Sequence, residues 1–410
     1  MKVVVVGSGG REHALVDVLS RTAEVVVTPG NPGIPGSVAT PATELDADLF
    51  VIGPEQPLVD GLADTLRAQG KLVFGPGADG AQLEGSKRWM KQVLDDAGVA
   101  TARWAAFDAD EVDQAVAYLQ DTTTLPFVIK TDGLAAGKGV VVTRSLDDAH
   151  AAVRDYLSGA AFGAAGTTCV IEEGLSGPEL SVFAVCDGTH AMAFGAAQDH
   201  KRLGDADTGP NTGGMGTYSP VPVAGQDVID AVMRDAILPT LRALQARGVD
   251  YRGFLFCGLM LTPEGPKVLE YNIRFGDPEA QVVLPRLTSD LAQHLYEAAS
   301  GELVTEPTFA DDATVCVVMA SEHYPAAPRL GDVIHGIDDA GELDGVSVYC
   351  AGVAGGEDGT MVTAGGRVLN VVGRGPDLAS ARERAYEGVA RISWPGEQHR
   401  TDIAASATNP

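Results

Sequence analysis

Paired cysteines, a basic surface and long apolar runs are all missing from this chain, and each absence removes a class of function. The five cysteines (Cys169, Cys186, Cys257, Cys316 and Cys350) are far apart, odd in number and set mostly within apolar runs, with no CxxC pair. Neither a zinc site nor a disulfide framework is expected; buried free thiols in a reducing cytosol are. Lysine and arginine total 29 against 56 acids, a formal net charge of −27. The longest basic run is His200-Lys201-Arg202, so the basic stripe of a nucleic-acid binder is absent. No apolar run approaches the ~20 residues of a membrane span. Met1 to Val6 opens directly on a strand, without the charged lead and apolar stretch of a signal peptide. These absences predict a cytoplasmic protein with no nucleic-acid and no membrane partner.

What is present is glycine and a sizeable core. Of 410 residues, 45% are hydrophobic and 21% charged, a composition that packs. The length suggests two to four domains. Fifty glycines exceed the usual ~7% share and cluster in short loops between apolar runs. That pattern points to tight turns or to backbone lying close to ligands. A protein this acidic binds anions through a few placed cations and backbone N–H groups, not through its overall field.

Short apolar strands alternate with helices at the start of the chain: Lys2–Val6, the helical His13–Ser20, then strands at Val25–Val27, Asp48–Ile52 and Leu72–Phe74. This order predicts a parallel, doubly wound sheet from Met1 to about Gly77. A helix is expected over Ser86–Ala97. Phe127–Lys130 and Gly139–Thr143 read as strands flanking the glycine-rich 132–138 segment, and Thr168–Glu172 and Glu179–Val185 as strands around a Gly174–Pro178 turn. The polar stretch Gln198–Pro220 is a long loop of the kind that is usually functional. Asp227–Ala246 reads as one amphipathic helix, and Phe254–Leu261 with Lys267–Glu270 as a hairpin. After Gly301 the chain is strand-rich until the helical Pro376–Arg391 segment.

Three segments carry chemistry. Gly7-Ser8-Gly9-Gly10-Arg11-Glu12 follows a strand and opens a helix, but Glu12 stands where a dinucleotide fingerprint needs its third glycine. The second strand, moreover, ends in Thr28-Pro29 rather than an acid. Bare N–H groups, a helix start and Arg11 could together hold a phosphate; a tight turn with an exposed arginine is the alternative. In Phe127–Val140, Lys130 ends a buried strand, a costly place for a cation unless it meets an anion. The loop after it is small enough to lie over phosphates and carries Lys138, without Walker A spacing. In Val268–Glu279, Glu270 and Asn272 alternate on one strand face, a donor pair suited to Mg²⁺. Arg274, two residues further, is placed to neutralise a carboxylate or a transferring phosphoryl. The histidines are scattered and receive no catalytic role.

At these residues the chain resembles the ATP-grasp superfamily and, within it, the phosphoribosylamine–glycine ligase (glycinamide ribonucleotide synthetase) family. The likeness runs through Gly7–Leu15, Pro29–Asn31, Gly53–Val59, Leu83–Lys87, Lys130–Val140, Gln198–Arg202, Asp207–Pro220 and Asn272–Glu279. It continues more weakly through Gly331–Gly336 and Arg400–Ile403. It departs at Ser321–Pro325, where the family often has small residues and glycine. It departs again at the strand Phe254–Met260, which lacks the acid that in the wider superfamily usually precedes the Glu-x-Asn strand.

The resemblance implies an α/β ATP-grasp fold with an N-terminal Rossmann-like domain (1–86), an ATP-grasp region (87–301, its clamp about 120–185) and a small C-terminal β-rich domain (302–410). It implies ligation of glycine to 5-phosphoribosylamine with ATP, through glycyl phosphate, by a monomer using Mg²⁺ or Mn²⁺. Lys87, Lys130, Gly133, Gly137, Lys138 and Gly139 correspond to phosphate contacts. Glu172, Glu173 and Leu175 correspond to the adenine hinge, Glu179 to an acid near the ribose, and Glu270 and Asn272 to metal ligands. Arg274, Lys130 and Asp277 take the catalytic positions. Gly9, Gly10, Arg11, Asn31, Pro54, Glu55, Asp199, Lys201, Asn211, Gly213 and Gly214, with Arg274, would line the substrate cleft. Another ATP-grasp carboxylate–amine ligase and a catalytically silent nucleotide-binding protein are the rival readings.

Overall fold

The computed structural model describes residues 1–121, 125–134, 139–159 and 167–408. Its first unit is a four-stranded parallel sheet in the order Glu24–Pro29, Lys2–Gly7, Leu49–Ile52, Val73–Phe74. The central strands are almost wholly buried, which is why they read as unbroken apolar runs rather than alternating ones. The helix Gly10–Leu19 begins at the glycine loop, where the Glu12 side chain turns back to accept from the Gly9 N–H at 2.6 Å. One consequence is that part of this loop's donor capacity is already used.

A second, four-stranded antiparallel sheet runs Trp104–Asp108, Thr168–Glu172, Phe127–Thr131, Val140–Thr143. The helices Val112–Asp121 and Leu146–Leu157 cover it and enclose a small core of their own. This sheet, from Trp104 to Glu172, overlaps the clamp expected at about 120–185. The Gly174–Pro178 turn does not close a hairpin; it carries the chain from the clamp into a different sheet, where Glu179–Asp187 lies.

That third sheet is the backbone of the molecule. It has eight antiparallel strands in the order Gly265–Asn272, Arg252–Thr262, Glu179–Asp187, Ala191–Asp199, Gly216–Ser219, Ala313–Ala320, Arg367–Gly375, Val346–Cys350. The first five come from residues 179–272 and the last three from residues 313–375. The tail expected as a separate β-rich domain is therefore continuous with the core through Gly216–Ser219 and Ala313–Ala320. Ala313–Ala320 is buried along its whole length, as a strand paired on both sides must be. Every residue of the expected 227–246 helix is helical, but a π turn at Met233–Ile237 separates Gln226–Val232 from Leu238–Ala246. Pro239 explains the interruption, since it has no N–H for the regular ladder and its ring crowds the preceding turn.

The N-terminal unit docks on the far edge of the large sheet. The Cys350 N–H donates to His13 Nδ1 at 2.8 Å, and the Tyr349 hydroxyl donates to Asp17 at 2.9 Å. Burial lowers the His13 pKa to about 4, against weaker opposing pulls from Asp17 and the Cys350 backbone. The native state thus holds His13 neutral, and protons favour the unfolded chain. The stabilisation is present above the ordinary value near 6.5 and is lost as pH falls toward 4. His13→Gln should flatten this part of the stability profile, removing ~1–3 kcal/mol of pH-dependent loss between pH 7 and pH 4. Denaturation midpoints of both proteins across that range provide the check, and parallel profiles would refute the assignment.

Candidate functional site

Lys130 does meet an anion, but the anion belongs to the protein. Its Nζ lies 2.8 Å from Glu172 Oε1, and Lys91 Nζ lies 3.0 Å from Glu172 Oε2, with all three side chains buried. Burial would raise the Glu172 carboxyl, but the two ammonium groups outweigh it and hold it below its ordinary range. Burial in turn brings Lys91 down to about 8 despite Glu172. Lys130 Nζ also donates to the Leu269 carbonyl at 3.1 Å, so it reaches from the clamp to the edge strand of the large sheet. Lys91 went unnoticed in the sequence. Its only signal is its place one helical turn after Lys87 on a helix capped by Ser86.

Lys87 stands at the start of that helix, with Nζ donating to the Gly133 carbonyl at 3.1 Å. Asp132 fastens the same corner by accepting from the Arg88 N–H at 3.0 Å and from the Ser86 hydroxyl at 3.0 Å. Gly133 has φ +89°, a left-handed conformation that suits glycine in so tight a bend. Gly139 closes the described part of this loop by accepting from the Thr131 N–H at 2.8 Å. Gly137 and Lys138 lie outside the described residues.

Glu270 faces this lysine group from the edge strand, with Asn272 two residues on along the same strand. Partial burial would raise the Glu270 carboxyl, but Lys201, Lys130 and Lys87 overcome that and keep it low. Lys201 Nζ bridges Glu179 at 2.8 Å and Glu270 at 4.0 Å. The Asn272 side chain makes no hydrogen bond among the described residues. Glu173 hydrogen-bonds Arg103 through both its backbone and its side chain, at 3.0 Å each, fixing the turn that includes Leu175. Lys87, Lys130 and Lys201 thus gather around Glu270 on the edge strand of the large sheet.

The other half of the cleft is a chain of ion pairs. Arg274 Nε lies 3.0 Å from Glu55 and its NH2 lies 2.7 Å from Glu84. Glu84 also accepts from the Ile273 N–H at 3.0 Å. Arg274 brings Glu55 down to about 2, against its burial. Burial raises Glu84 to about 7 even with Arg274 beside it. Arg274 is therefore directed at the N-terminal unit rather than lying free beside Glu270. Pro54 supplies the extended residue ahead of the short helix that carries Glu55.

Arg11 is not the exposed arginine of a simple tight turn, nor is it open to a phosphate. It is buried, with Nε 2.6 Å from Glu12 and NH1 3.1 Å from the Phe275 carbonyl. Its N–H points to Asp277 at 3.4 Å, so the glycine loop with Gly9 and Gly10 is locked onto the Arg274–Glu279 segment. Asn31 is also engaged internally. Its amide donates to Ser8 at 2.8 Å and Ala351 at 3.1 Å, and its oxygen accepts from Gly33 N–H at 2.8 Å.

Asp277 is held by Gln281 at 2.8 Å and by Arg367 at 3.7 Å. Arg367 also donates to the carbonyls of Gly213 and Asp277 at 2.6 Å each, and the Gly213 N–H donates to Tyr324 at 3.1 Å. The loop bearing Asn211, Gly213 and Gly214 is thereby tied to the C-terminal region. Asp199 Oδ1 is buried without a hydrogen-bond partner among the described residues; burial, reinforced by Glu279, raises that carboxyl well above its usual range. Neither Glu84 nor Arg367 was picked out from sequence, because each gains its meaning only from a distant partner.

Comparison with known proteins bears on this geometry. Models of the N domain, the ATP-grasp (A) domain and the C domain of phosphoribosylglycinamide synthetase match residues 1–84, 85–280 and 314–406. The chain is 48% identical to a phosphoribosylamine–glycine ligase of Caulobacter vibrioides, covering 98% of this chain and 97% of that one. It is 46% identical to that of Streptomyces coelicolor, covering 99% of each. The crystal structure of phosphoribosylamine–glycine ligase from Thermotoga maritima matches with a TM-score of 0.86 at 33% identity, covering 98% of this chain and 100% of that one. The biotin carboxylase domain of Hydrogenobacter thermophilus 2-oxoglutarate carboxylase matches with a TM-score of 0.72 at 16% identity, covering 97% and 91%. That last likeness is one of fold.

The Lys91–Glu172–Lys130 triad makes a direct prediction. Lys91→Met leaves Glu172 buried with one cation instead of two, and should cost on the order of 3 kcal/mol of stability. Urea denaturation measures it. A loss below ~1 kcal/mol would mean that Lys130 alone satisfies Glu172.

Proposed function

The chain belongs to the phosphoribosylglycinamide synthetase family, and on that premise we propose how its cleft joins glycine to 5-phosphoribosylamine with ATP. The products are glycinamide ribonucleotide, ADP and phosphate, in the second step of de novo purine synthesis. The observation that carries the reading is the meeting of Lys87, Lys130 and Lys201 around Glu270 and Asn272, beside the locked Arg274–Glu279 segment.

A carboxylate does not acylate an amine at neutral pH, because oxide is too poor a leaving group. Transfer of the γ-phosphoryl of ATP to the glycine carboxylate gives glycyl phosphate and ADP. The amine of phosphoribosylamine then attacks the acyl carbon, and phosphate departs. Neither step needs a nucleophile from the protein; positioning and charge neutralisation carry both. Lys87 and Lys130 take the polyphosphate, with Gly133 and Gly139 beside it. The backbone of Glu173–Leu175 takes the adenine edge, Glu179 lies toward the ribose, and Lys201 sits between Glu179 and Glu270. Arg274 and Asp277 lie near the glycine and the transferring phosphoryl, the guanidinium suited to the carboxylate and the aspartate to the ammonium group. Gly9, Gly10, Arg11, Asn31, Pro54 and Glu55 form the wall on the ribosyl-phosphate side, with Asp199, Asn211, Gly213 and Gly214 opposite. Arg11 and Asn31, being committed internally, act there by fixing the loop rather than by gripping phosphate.

A divalent cation, Mg²⁺ or Mn²⁺, fits Glu270 and Asn272. One is a carboxylate kept ionised by lysines, the other an amide without a partner among the described residues, and both lie on one strand face. Among the described residues no group of three or more acids, histidines or cysteines forms a metal cage, which suits an ion that takes most of its oxygens from phosphate. When bound it would neutralise polyphosphate charge. We place the enzyme in the cytoplasm and read it as a monomer, as the family resemblance implies.

Glu270→Gln keeps the shape and removes the charge, and should cost ~2–4 kcal/mol of transition-state stabilisation, read as kcat/KM at limiting Mg²⁺. The reaction itself is tested by ADP release with glycine and phosphoribosylamine present, and with each omitted in turn. Equal ADP release without glycine would refute the ligation.

A further inference from the structure

The loop that carries Lys201 contains a strained turn, and the chain's own tail holds it. Arg202–Gly204 pairs with Thr208–Asn211 as a short hairpin, and Lys201 closes its base by accepting from the Thr212 N–H at 2.8 Å. At the tip, Ala206 and Asp207 have φ +54° and +53°. Two successive non-glycine residues in the left-handed region are unfavourable unless their surroundings impose that conformation.

Those surroundings come from residues about two hundred positions away. Arg400, 1% exposed, donates to Asp207 at 2.7 Å and to the Arg202 carbonyl at 3.1 Å, while pairing with both oxygens of Asp402 at 2.7 and 2.8 Å. Asp402 in turn accepts from the Ala206 N–H at 2.8 Å. Asp205 accepts from the Thr401 N–H at 2.8 Å and from the Thr401 hydroxyl. On the other side of Lys201, His200 Nε2 accepts from the Ala404 N–H at 3.2 Å. The tail is itself anchored to the helix Leu378–Val389, through the Tyr386 hydroxyl to the Arg400 carbonyl at 2.8 Å and Arg382 to the Ile403 carbonyl at 2.9 Å. Every acid of the turn is thus matched to a donor on the tail, and the tail is fixed to a packed element.

We propose that the Arg400–Ala404 segment is a clasp that positions the Lys201 hairpin, making Arg400 a positioning residue for the ligation although it touches no substrate. This rests on the placement of Lys201 in the nucleotide cleft made above. A stabilising contact alone would leave kinetics untouched in any variant that stays folded. A positioning contact would not, because a small displacement of Lys201 from Glu179 and Glu270 moves a charge beside the polyphosphate.

The test uses the full chain in four forms: Arg400→Lys, Asp207→Ala, Arg400→Lys combined with Ala206→Gly, and Lys201→Ala. Asp207 has a 68% exposed side chain, so its truncation keeps a folded protein even if Arg400→Lys does not. Hydrogen exchange over 201–212 reads the hairpin, and kcat and the KM for ATP read the site. Both single clasp variants should exchange these amides roughly tenfold faster than wild type and lose roughly tenfold in kcat/KM for ATP. The N-terminal sheet should keep its protection. Glycine at 206, which accepts the left-handed turn without strain, should recover part of the loss. Unchanged exchange in both clasp variants, or faster exchange with wild-type kinetics while Lys201→Ala is impaired, overturns the clasp. Wild-type kinetics in Lys201→Ala instead overturns the placement of Lys201, and so separates the two failures.

Discussion

Arg274 lies between Glu55 and Glu84 with little access to water, and the shape of the cleft depends on that arrangement. A guanidinium removed from solvent is tolerable only with carboxylates in good geometry. Here both carboxylates come from the N-terminal side of the cleft, while the arginine follows directly on the edge strand of the large sheet. The charge requirement therefore welds two units that share no strand pairing. Arg11 repeats the weld one step along, from the N-terminal helix to the Phe275 carbonyl and Asp277. With those contacts made, the edge strand that carries Glu270 and Asn272 is fixed against the N-terminal unit.

The same economy of paired charges resolves an apparent contradiction in a chain of net charge −27 that handles ATP. Four described lysines near the proposed nucleotide site already have internal partners: Lys130 and Lys91 with Glu172, Lys201 with Glu179, Lys87 with the Gly133 carbonyl. These contacts hold the ammonium groups in place before any phosphate arrives, so less side-chain entropy remains to be lost on binding. The field that matters is local, and the excess of surface acid says little about it.

Much of this was legible in sequence. The four N-terminal strands appeared as apolar runs because a parallel sheet covered on both faces leaves no polar alternation. The helix expected over Ser86–Ala97 is present as Lys87–Ala97, and Glu270 with Asn272 share a strand as their spacing implies. What stayed hidden was non-local. That Lys130 would meet Glu172, that Arg11 would turn inward to Phe275, and that Ala313–Ala320 would join the sheet of Gly216–Ser219 are matters of pairing between distant segments. A single sequence carries no signal for such pairing. The residues overlooked, Lys91, Glu84, Arg367 and Arg400, share this feature: each is unremarkable until its partner is in place. The interrupted helix at Met233–Ile237 is different, since Pro239 was in plain view and the amphipathic period simply outweighed it.

The side chains that could have offered covalent chemistry are withdrawn from it. All five cysteines are buried, and burial raises the thiols of Cys169 and Cys257 to about 12 and that of Cys350 to about 11. Thiolate at neutral pH is negligible at such values. His13 is committed to the Cys350 backbone and His200 to Ala404, so neither is free as a base. What remains exposed to the cleft is charge: an ionised Glu270, the lysines around it, and the arginine–carboxylate chain behind. A reaction that proceeds by moving a phosphoryl group and then displacing it asks for that and for little else. The fold meets the demand by spending its strongest interactions on where charges stand.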